Sequence, residues 1–192
     1  MTDDEFAPHI VYLLGSPGVG KYTVGRALAA RSGAVVVDNQ LINHPVLALF
    51  AWDGRSDLLS AIWGPIGRIR AEVLTVMKHL TPTSISYVLT NALENDAAGH
   101  AVFSRIRDLA ATRGAEFVPV MLTCDLDEQC RRVTSPQRRQ RLKLSDPDQL
   151  REYLASTAMY LPDDPRLLTL DTTDLSPEHT AGAILDHVRI VR

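Results

Sequence analysis

Short apolar segments alternate with segments of helical periodicity along most of this chain, and this alternation restricts the folds that it can adopt. Five segments have the β-branched or aliphatic character of a buried strand: His9–Leu14, Ala34–Val37, Ser84–Thr90, Glu116–Thr123 and Arg166–Leu170. Strands that alternate with helices predict βαβ units, in which parallel strands form one sheet with helices on both faces. We therefore predict an α/β fold, a three-layer sandwich around a sheet of about five parallel strands.

The segments between these strands are predicted to be helical, with boundaries set by glycine, proline and capping residues. The predicted helices are Lys21–Arg31, Asn43–Phe50, Asp57–Leu80, Asp96–Arg113, Asp127–Val133, Asp146–Ala158 and Glu178–Arg189. Breaks are expected near Gly54 and at Gly64-Pro65. Ligands of parallel sheets bind beyond the carboxyl ends of the strands, so the residues that follow each strand are the candidates for chemistry.

The composition excludes several classes of protein. The 192 residues are 45% hydrophobic and 22% charged, as in an ordinary globular domain, and we expect residues 1–192 to form one domain. A net charge of −3 does not favour a nucleic-acid partner. No apolar run approaches the roughly 18 residues of a membrane span. The acidic first residues lack a basic leader region, so we expect a cytoplasmic protein with reduced, buried thiols at Cys124 and Cys130; its oligomeric state stays open.

A glycine-rich segment follows the first strand and precedes a predicted helix. It reads Gly15-Ser16-Pro17-Gly18-Val19-Gly20-Lys21-Tyr22-Thr23. Glycines allow backbone angles and close approaches that side chains prevent, and the amides of such a loop and of the following helix bind phosphate. Lys21 adds a point charge for a polyphosphate. The segment therefore predicts a phosphate-binding loop that uses all nine residues.

One residue of this loop departs from the pattern GxxxxGK[ST]. Tyr22 stands where a short hydroxyl would ligate Mg²⁺, and Thr23 follows one place later. The loop nevertheless resembles the adenylate-kinase form, GxPGxGKGT. That resemblance implies ATP as the nucleotide, a contact of Thr23 with the α-phosphate, and Mg²⁺ held through water near Thr23 and Asp38 rather than directly by the loop.

The end of the chain extends this resemblance. Leu168–Thr173 followed by Ser176-Pro177-Glu178 is similar to the last strand and helix of shikimate and gluconate kinases, which belong to the small P-loop kinases. The resemblance implies the P-loop fold, a loop at Thr172 beside the adenine, and transfer of a phosphoryl group from ATP to a small metabolite that carries a hydroxyl or phosphate. The residues alone leave GTP and a nucleotide-binding regulatory protein as alternatives.

Asp38 directly follows the second predicted strand, where a ligand is expected. In the kinases that the chain resembles, an acidic residue here orients the acceptor hydroxyl or holds Mg²⁺ through water, and phosphoryl transfer needs a group that accepts the hydroxyl proton. The alternative is that Asp38 caps the next segment. The third strand ends at Thr90-Asn91 without the carboxylate that most P-loop ATPases carry there. This absence argues against a motor ATPase and keeps the regulatory alternative open.

Two groups of cations complete the predicted site. Arg68 and Arg70 lie in the segment that, by the same resemblance, covers the acceptor, where they would bind its anionic group or else face solvent. Trp52 and Trp63 flank this segment as core residues or as acceptor contacts.

The second group of cations lies late in the chain and contains Arg131, Arg132, Arg138, Arg139, Arg141 and Lys143. Small kinases carry a lid there, so we predict a lid at about residues 134–146. Arg132 and Arg138 are the predicted catalytic cations, and the alternative is a solvated face. With Asp146 and Asp148 the nearest downstream carboxylates, too few acidic residues lie nearby to pair all six cations, and we expect a mobile segment without ligand.

Overall fold

The computed structural model describes residues 7–56 and 58–191, and within these ranges it contains five strands. They are β1 (His9–Leu14), β2 (Val35–Val37), β3 (Tyr87–Thr90), β4 (Glu116–Thr123) and β5 (Leu168–Asp171). All neighbouring strands are parallel, in the order β2-β3-β1-β4-β5. The predicted five-stranded parallel sheet is confirmed, with β1 at its centre.

Eight α-helices of the described ranges cover both faces of this sheet. They are α1 (Lys21–Ser32), α2 (Asn39–Leu47), α3 (Trp63–His79), α4 (Ala97–Arg113), α5 (Leu126–Val133), α6 (Pro136–Gln140), α7 (Pro147–Ser156) and α8 (Pro177–Ile190). Alternate side chains of β1 enter two separate cores, as the period of a strand requires. Tyr12 packs with α3 and α4, whereas Leu13 packs with α1 and α8. None of the described helices is long and apolar enough to cross a membrane.

Local capping signals set most helix ends where the sequence predicts them. Asp96 accepts a hydrogen bond from the Gly99 amide at the start of α4, and Gly114 follows its end in the left-handed conformation. Asp146 and Ser176 cap α7 and α8 in the same way, each before a proline. These caps satisfy amides that have no partner within the helix.

The predictions for the segment between β2 and β3 are partly wrong. α2 begins at Asn39, four residues before the predicted start, because it follows β2 without a connecting loop. The predicted break at Gly64-Pro65 is absent: both residues lie in the first turn of α3, where proline costs no hydrogen bond. Asp57, the predicted start of this helix, lies outside the described residues, and α3 begins only at Trp63.

A buried arginine fixes the end of α3 against α4. Arg113 is 4% exposed and donates hydrogen bonds to the carbonyl oxygens of Met77, Pro82 and Ile85. Its guanidinium also lies 5.1 Å from the ring centroid of Tyr87. The contact with Met77 satisfies a carbonyl of the last turn of α3, and the contacts with Pro82 and Ile85 fix the turn that leads to β3. Of the two free cysteines, Cys130 is buried and Cys124 is half-buried.

Two helical glycines are expected to respond oppositely to alanine. A Cβ at Gly99 would overlap the carbonyl oxygen of Glu94, whereas a Cβ at Gly67 meets nothing within 4 Å. We expect Gly99→Ala to lower the free energy of unfolding by about 1–3 kcal/mol. Gly67→Ala should raise it by about 0.5–1 kcal/mol, because alanine loses less backbone entropy in a helix. Urea unfolding of both variants measures the difference, and destabilisation of equal size at both positions would contradict it.

Candidate functional site

The loops that follow β1, β2 and β3 meet around a cavity of about 630 Å³. The glycine loop and α5 line one part of this cavity. The start of α2, the residues that follow it and the end of β3 line the other part. The cavity therefore lies beyond the carboxyl ends of the strands, where the parallel sheet predicts a ligand site.

The glycine loop has the backbone conformation that its sequence requires. Gly15, Gly18 and Gly20 have φ angles of +133°, +97° and +92°, in the region that favours glycine. A Cβ at Gly15 would overlap the carbonyl oxygen of Leu122. The loop then leads into α1, whose first amides have no partner within the helix. Such an arrangement of amides forms an anion-binding concavity.

Side chains beneath the loop brace it in this conformation. The Ser16 hydroxyl donates to Oε1 of Gln129 at 2.7 Å, and Nε2 of Gln129 donates to the Cys124 carbonyl oxygen at 2.6 Å. The Thr172 hydroxyl donates to the carbonyl oxygen of Val19 at 2.9 Å and is 2% exposed. Thr172, expected beside the nucleotide, thus supports the loop from below. Gln129 carried no signal in the sequence, because its role depends on a contact 113 residues away.

Lys21 contacts main-chain oxygens of its own loop. Its Nζ donates to the carbonyl oxygens of Gly15 and Ser16. Burial, together with the positive charges of Lys143 and Arg138, lowers the pKa of Lys21 to about 7, and only the Asp38 carboxylate opposes them. The site is thus short of negative charge around this lysine.

Asp38 is held by three neighbours at the end of β2. Its Oδ1 accepts from the Thr90 hydroxyl at 2.6 Å, and its Oδ2 pairs with Arg141 at 2.9 Å and with Lys143 at 3.0 Å. Burial alone would raise the pKa of this carboxyl, but Lys143, Thr90 and Arg141 together hold it below its ordinary value. Asp38 precedes α2 yet makes no side-chain capping bond, so the capping alternative fails.

The basic segment, residues 131–143, is paired more fully than the sequence suggests. Glu128 binds Arg131 and Arg132, and Asp38 binds Arg141 and Lys143. The prediction that too few carboxylates lie near these cations did not include Asp38, which lies 103 residues before Arg141. Arg138 donates instead to the Leu144 carbonyl oxygen. The mobility of residues 134–146 without ligand stays a prediction.

Tyr22 supports two cations instead of offering a metal ligand. The Arg141 guanidinium lies 3.6 Å from the centroid of the Tyr22 ring, and Nζ of Lys143 lies 4.8 Å from it. The ring thus connects the glycine loop to the basic segment through cation–π contacts. Thr23, the nearest short hydroxyl, donates to the Gly20 carbonyl oxygen. Among the described residues, no three His, Cys, Asp or Glu side chains cluster as a metal site would require.

Some of the remaining predicted residues line the cavity and others do not. Arg132 lines the cavity and is fixed by Glu128 and by the carbonyl oxygens of Thr172 and Thr173. Pro17, Gly18, Gly20, Thr23, Arg138, Trp52 and Trp63 also line it. Arg68 and Arg70 do not: α3 leaves Arg68 exposed and places Arg70 near the Tyr12 ring of the core. Helical spacing alone did not reveal which face of α3 meets the cavity.

Comparisons with known proteins identify the fold. No protein-family model and no curated protein sequence matches the chain. It is similar in structure to a sugar kinase from a Janibacter species, with a TM-score of 0.63, 18% identity and coverage of 95% of each chain. It is also similar to an APS kinase of Mycobacterium tuberculosis solved with AMPPNP and APS, with a TM-score of 0.58, 19% identity and coverage of 95% of this chain and 98% of that one.

A gluconokinase from Sinorhizobium meliloti gives a TM-score of 0.59 at 15% identity, covering 97% of this chain and 94% of that chain. These proteins are small-molecule kinases, and the similarity extends over nearly the whole length of each. The chain therefore has the α/β fold of the P-loop small-molecule kinases.

Binding of Mg²⁺–ADP should take up protons through Lys21. At about pH 8 a lysine with a pKa near 7 is mostly neutral, and phosphate charge would restore its proton, so we expect uptake of up to one proton per site. In the empty protein the lowered pKa of Lys21 also affects folding: the free energy of unfolding should decrease as the pH falls from the ordinary lysine pKa towards 7. Calorimetry in buffers of different ionisation enthalpy measures the uptake. It should fade below about pH 6, and Lys21→Met should abolish it and weaken binding. Uptake that persists in Lys21→Met would contradict this assignment.

The Tyr22 ring should control the order of the basic segment. We expect Tyr22→Ser to speed hydrogen exchange at residues 141–145 by about three- to tenfold, because a cation–π contact contributes about 0.5–1 kcal/mol or more. Tyr22→Phe keeps the ring and serves as the matched control, with protection close to that of the parent protein. Equal exchange in all three proteins would show that the ring does not hold the segment.

Proposed function

We propose that this protein is an ATP-dependent phosphotransferase that acts on the hydroxyl of a small molecule. The observation that carries the proposal is one cavity lined by a braced phosphate-binding loop with its lysine and, across from it, a buried carboxylate at the end of β2. Phosphoryl transfer depends on this combination of electrostatic stabilisation and positioning. The fold shared with small-molecule kinases supports the proposal.

In this proposal the glycine loop binds the nucleotide phosphates. The amides of Gly15–Thr23 and the Lys21 ammonium neutralise the β- and γ-phosphates, and Arg132 and Arg138 add charge from α5 and the basic segment. The APS kinase solved with AMPPNP and APS supports nucleotide binding in a fold of this kind. Arg132 is already fixed by Glu128 and by the loop after β5, so it acts from a rigid position.

The residues present fit the phosphates of ATP but not a metal bound directly by the loop. Tyr22 occupies the position of the usual hydroxyl ligand, and its ring is covered by Arg141 and Lys143. Mg²⁺ would therefore enter with the nucleotide and be held by phosphate oxygens and water, within reach of Thr23 and Asp38. No catalytic role is assigned to a protein–metal bond.

Asp38 would position the acceptor and take its proton. The acceptor oxygen attacks the γ-phosphorus, the bond to the β–γ bridging oxygen breaks, and ADP leaves while the hydroxyl proton passes to the Asp38 carboxylate. A lowered pKa keeps this carboxylate ionised at neutral pH. In the empty site its oxygens are engaged by Thr90, Arg141 and Lys143. Phosphates that attract the two cations would release it for the acceptor.

The same contacts favour a second candidate function. A protein that binds nucleotide without turnover would also keep Asp38 paired and would not need a direct metal ligand beside Lys21. This alternative predicts ADP binding with no acceptor-dependent release of ADP from ATP.

Substitution of Asp38 tests the proposal once a metabolite screen for ADP production has provided an acceptor. We expect Asp38→Asn to lower kcat by about 10²-fold or more, the scale of lost general-base assistance. ADP affinity should be kept or increased, because Arg141 and Lys143 lose their carboxylate partner. Asp108→Asn, an exposed change on α4, is the control with the same change in charge. Unchanged kcat in Asp38→Asn would exclude the catalytic role, and ADP binding without turnover across the screen would favour the second candidate.

A further inference from the structure

The acceptor is proposed to bind in the part of the cavity that α2 and the residues after it line. This acceptor part of the cavity has mainly apolar walls. Four of its residues come from α2, the segment after it and the start of α3, and two from the chain before α7: Leu47, Trp52, Leu58, Trp63, Leu142 and Leu144. None of these side chains carries a charge. A wall of this composition favours a ligand with an apolar or planar body.

Two tryptophans provide most of the aromatic surface of these walls. Trp52 is half-buried, and its Nε1 donates to the Ser56 carbonyl oxygen at 2.7 Å, so its polar atom is already satisfied. Trp63 is the first residue of α3 and is 52% exposed. A tryptophan that lines a cavity and keeps half of its surface exposed offers contact area to a ligand.

Two side-chain amides provide hydrogen bonding in the same part of the cavity. Asn43 is 6% exposed and Asn39 is half-buried, and both line the cavity. The Oδ1 atoms of both are buried and have no hydrogen-bond partner within the described part of the chain. Buried polar atoms in folded proteins are nearly always paired. A ligand hydroxyl would supply the missing donor, whereas a carboxylate would not.

The charges near this part of the cavity disfavour an anionic body. Arg141 and Lys143 pair with Asp38, and Arg138 and Lys143 lie close enough to Lys21 to lower its pKa. These cations therefore face the place where nucleotide phosphates are proposed to bind. A carboxylate on the acceptor would have to draw these cations away from Asp38 or from the nucleotide phosphates, and Asp38 would repel it.

We infer that the acceptor is a neutral, hydroxyl-bearing molecule with an apolar or planar body, seated between Trp52 and Trp63 with its hydroxyl groups on Asn39 and Asn43. The inference rests on the proposed function and narrows its substrate class. It also replaces the anionic acceptor that the arginines of α3 implied in the sequence. Among the described residues that line this part, no cation remains free of Asp38 or of the phosphate loop to hold such an anion.

Matched probes test the inference by binding, separately from turnover. One pair is 1,4-benzenedimethanol and 4-(hydroxymethyl)benzoate, which differ in a carboxylate; a second pair, glucose and gluconate, differs in charge without an aromatic body. Affinities are measured by titration in saturating Mg²⁺–ADP, and ADP production from ATP is measured in parallel. We expect the neutral aromatic probe to bind at least about tenfold tighter than its carboxylate partner and than either sugar compound.

Variants assign this binding to the cavity. Trp63→Ala should lower the affinity for the aromatic probe by about fivefold or more, and Trp63→Phe should keep most of that affinity. The affinity for ADP should stay the same in both variants. Leu58→Arg adds a cation to the wall and should shift the preference towards the benzoate. Tighter binding of the benzoate or gluconate by the parent protein, or no binding of the aromatic alcohol, would overturn the inference. Binding of the alcohol in the predicted order without ADP production would uphold the site and refute the kinase proposal.

Discussion

The ion-pair cluster at Asp38 determines how the rest of the site is arranged. One buried carboxylate joins the end of β2 to Thr90 of β3 and to two cations from a segment more than 100 residues further along the chain. Removing one partner of such a cluster leaves a buried charge without compensation, which is more costly than the pair is stabilising. The basic segment is thereby placed over the cavity, and the Tyr22 ring fixes the side from which it approaches.

The glycine loop already has the conformation that binds phosphate, whereas the Asp38 carboxylate is still paired and cannot yet contact an acceptor. Ser16, Gln129 and Thr172 hold the glycine loop in its conformation through hydrogen bonds within the protein, so phosphate binding needs little backbone ordering there. Asp38 has both oxygens engaged until its cations move. In the proposed reaction, nucleotide binding and release of the base are therefore parts of one electrostatic exchange, in which phosphate replaces carboxylate as the partner of Arg141 and Lys143.

Local signals in the sequence predict most of the fold. Apolar strand segments, Asp96, Asp146 and Ser176 as caps, and the glycine loop depend on neighbours within a few residues, and the structure has them where the sequence places them. What the sequence cannot show is contact at a distance. The partner of Arg141 is 103 residues away, and the faces that α3 turns towards core and solvent depend on how it packs. The apolar acceptor walls were missed for the same reason, because they combine residues from four separate segments.

The short edges of the sheet have a consequence for association between molecules. β2 forms one edge with three residues and β5 forms the other with four. An edge strand exposes unpaired amides and carbonyls that can recruit a strand from another chain, and short edges limit this templating. The longest of the described strands, β4, lies inside the sheet and pairs with β1 over Glu116–Met121 and with β5 over Val120–Thr123. Extension of this sheet by a second copy is therefore disfavoured, which protects a protein with an apolar cavity at one end of its sheet from edge-to-edge aggregation.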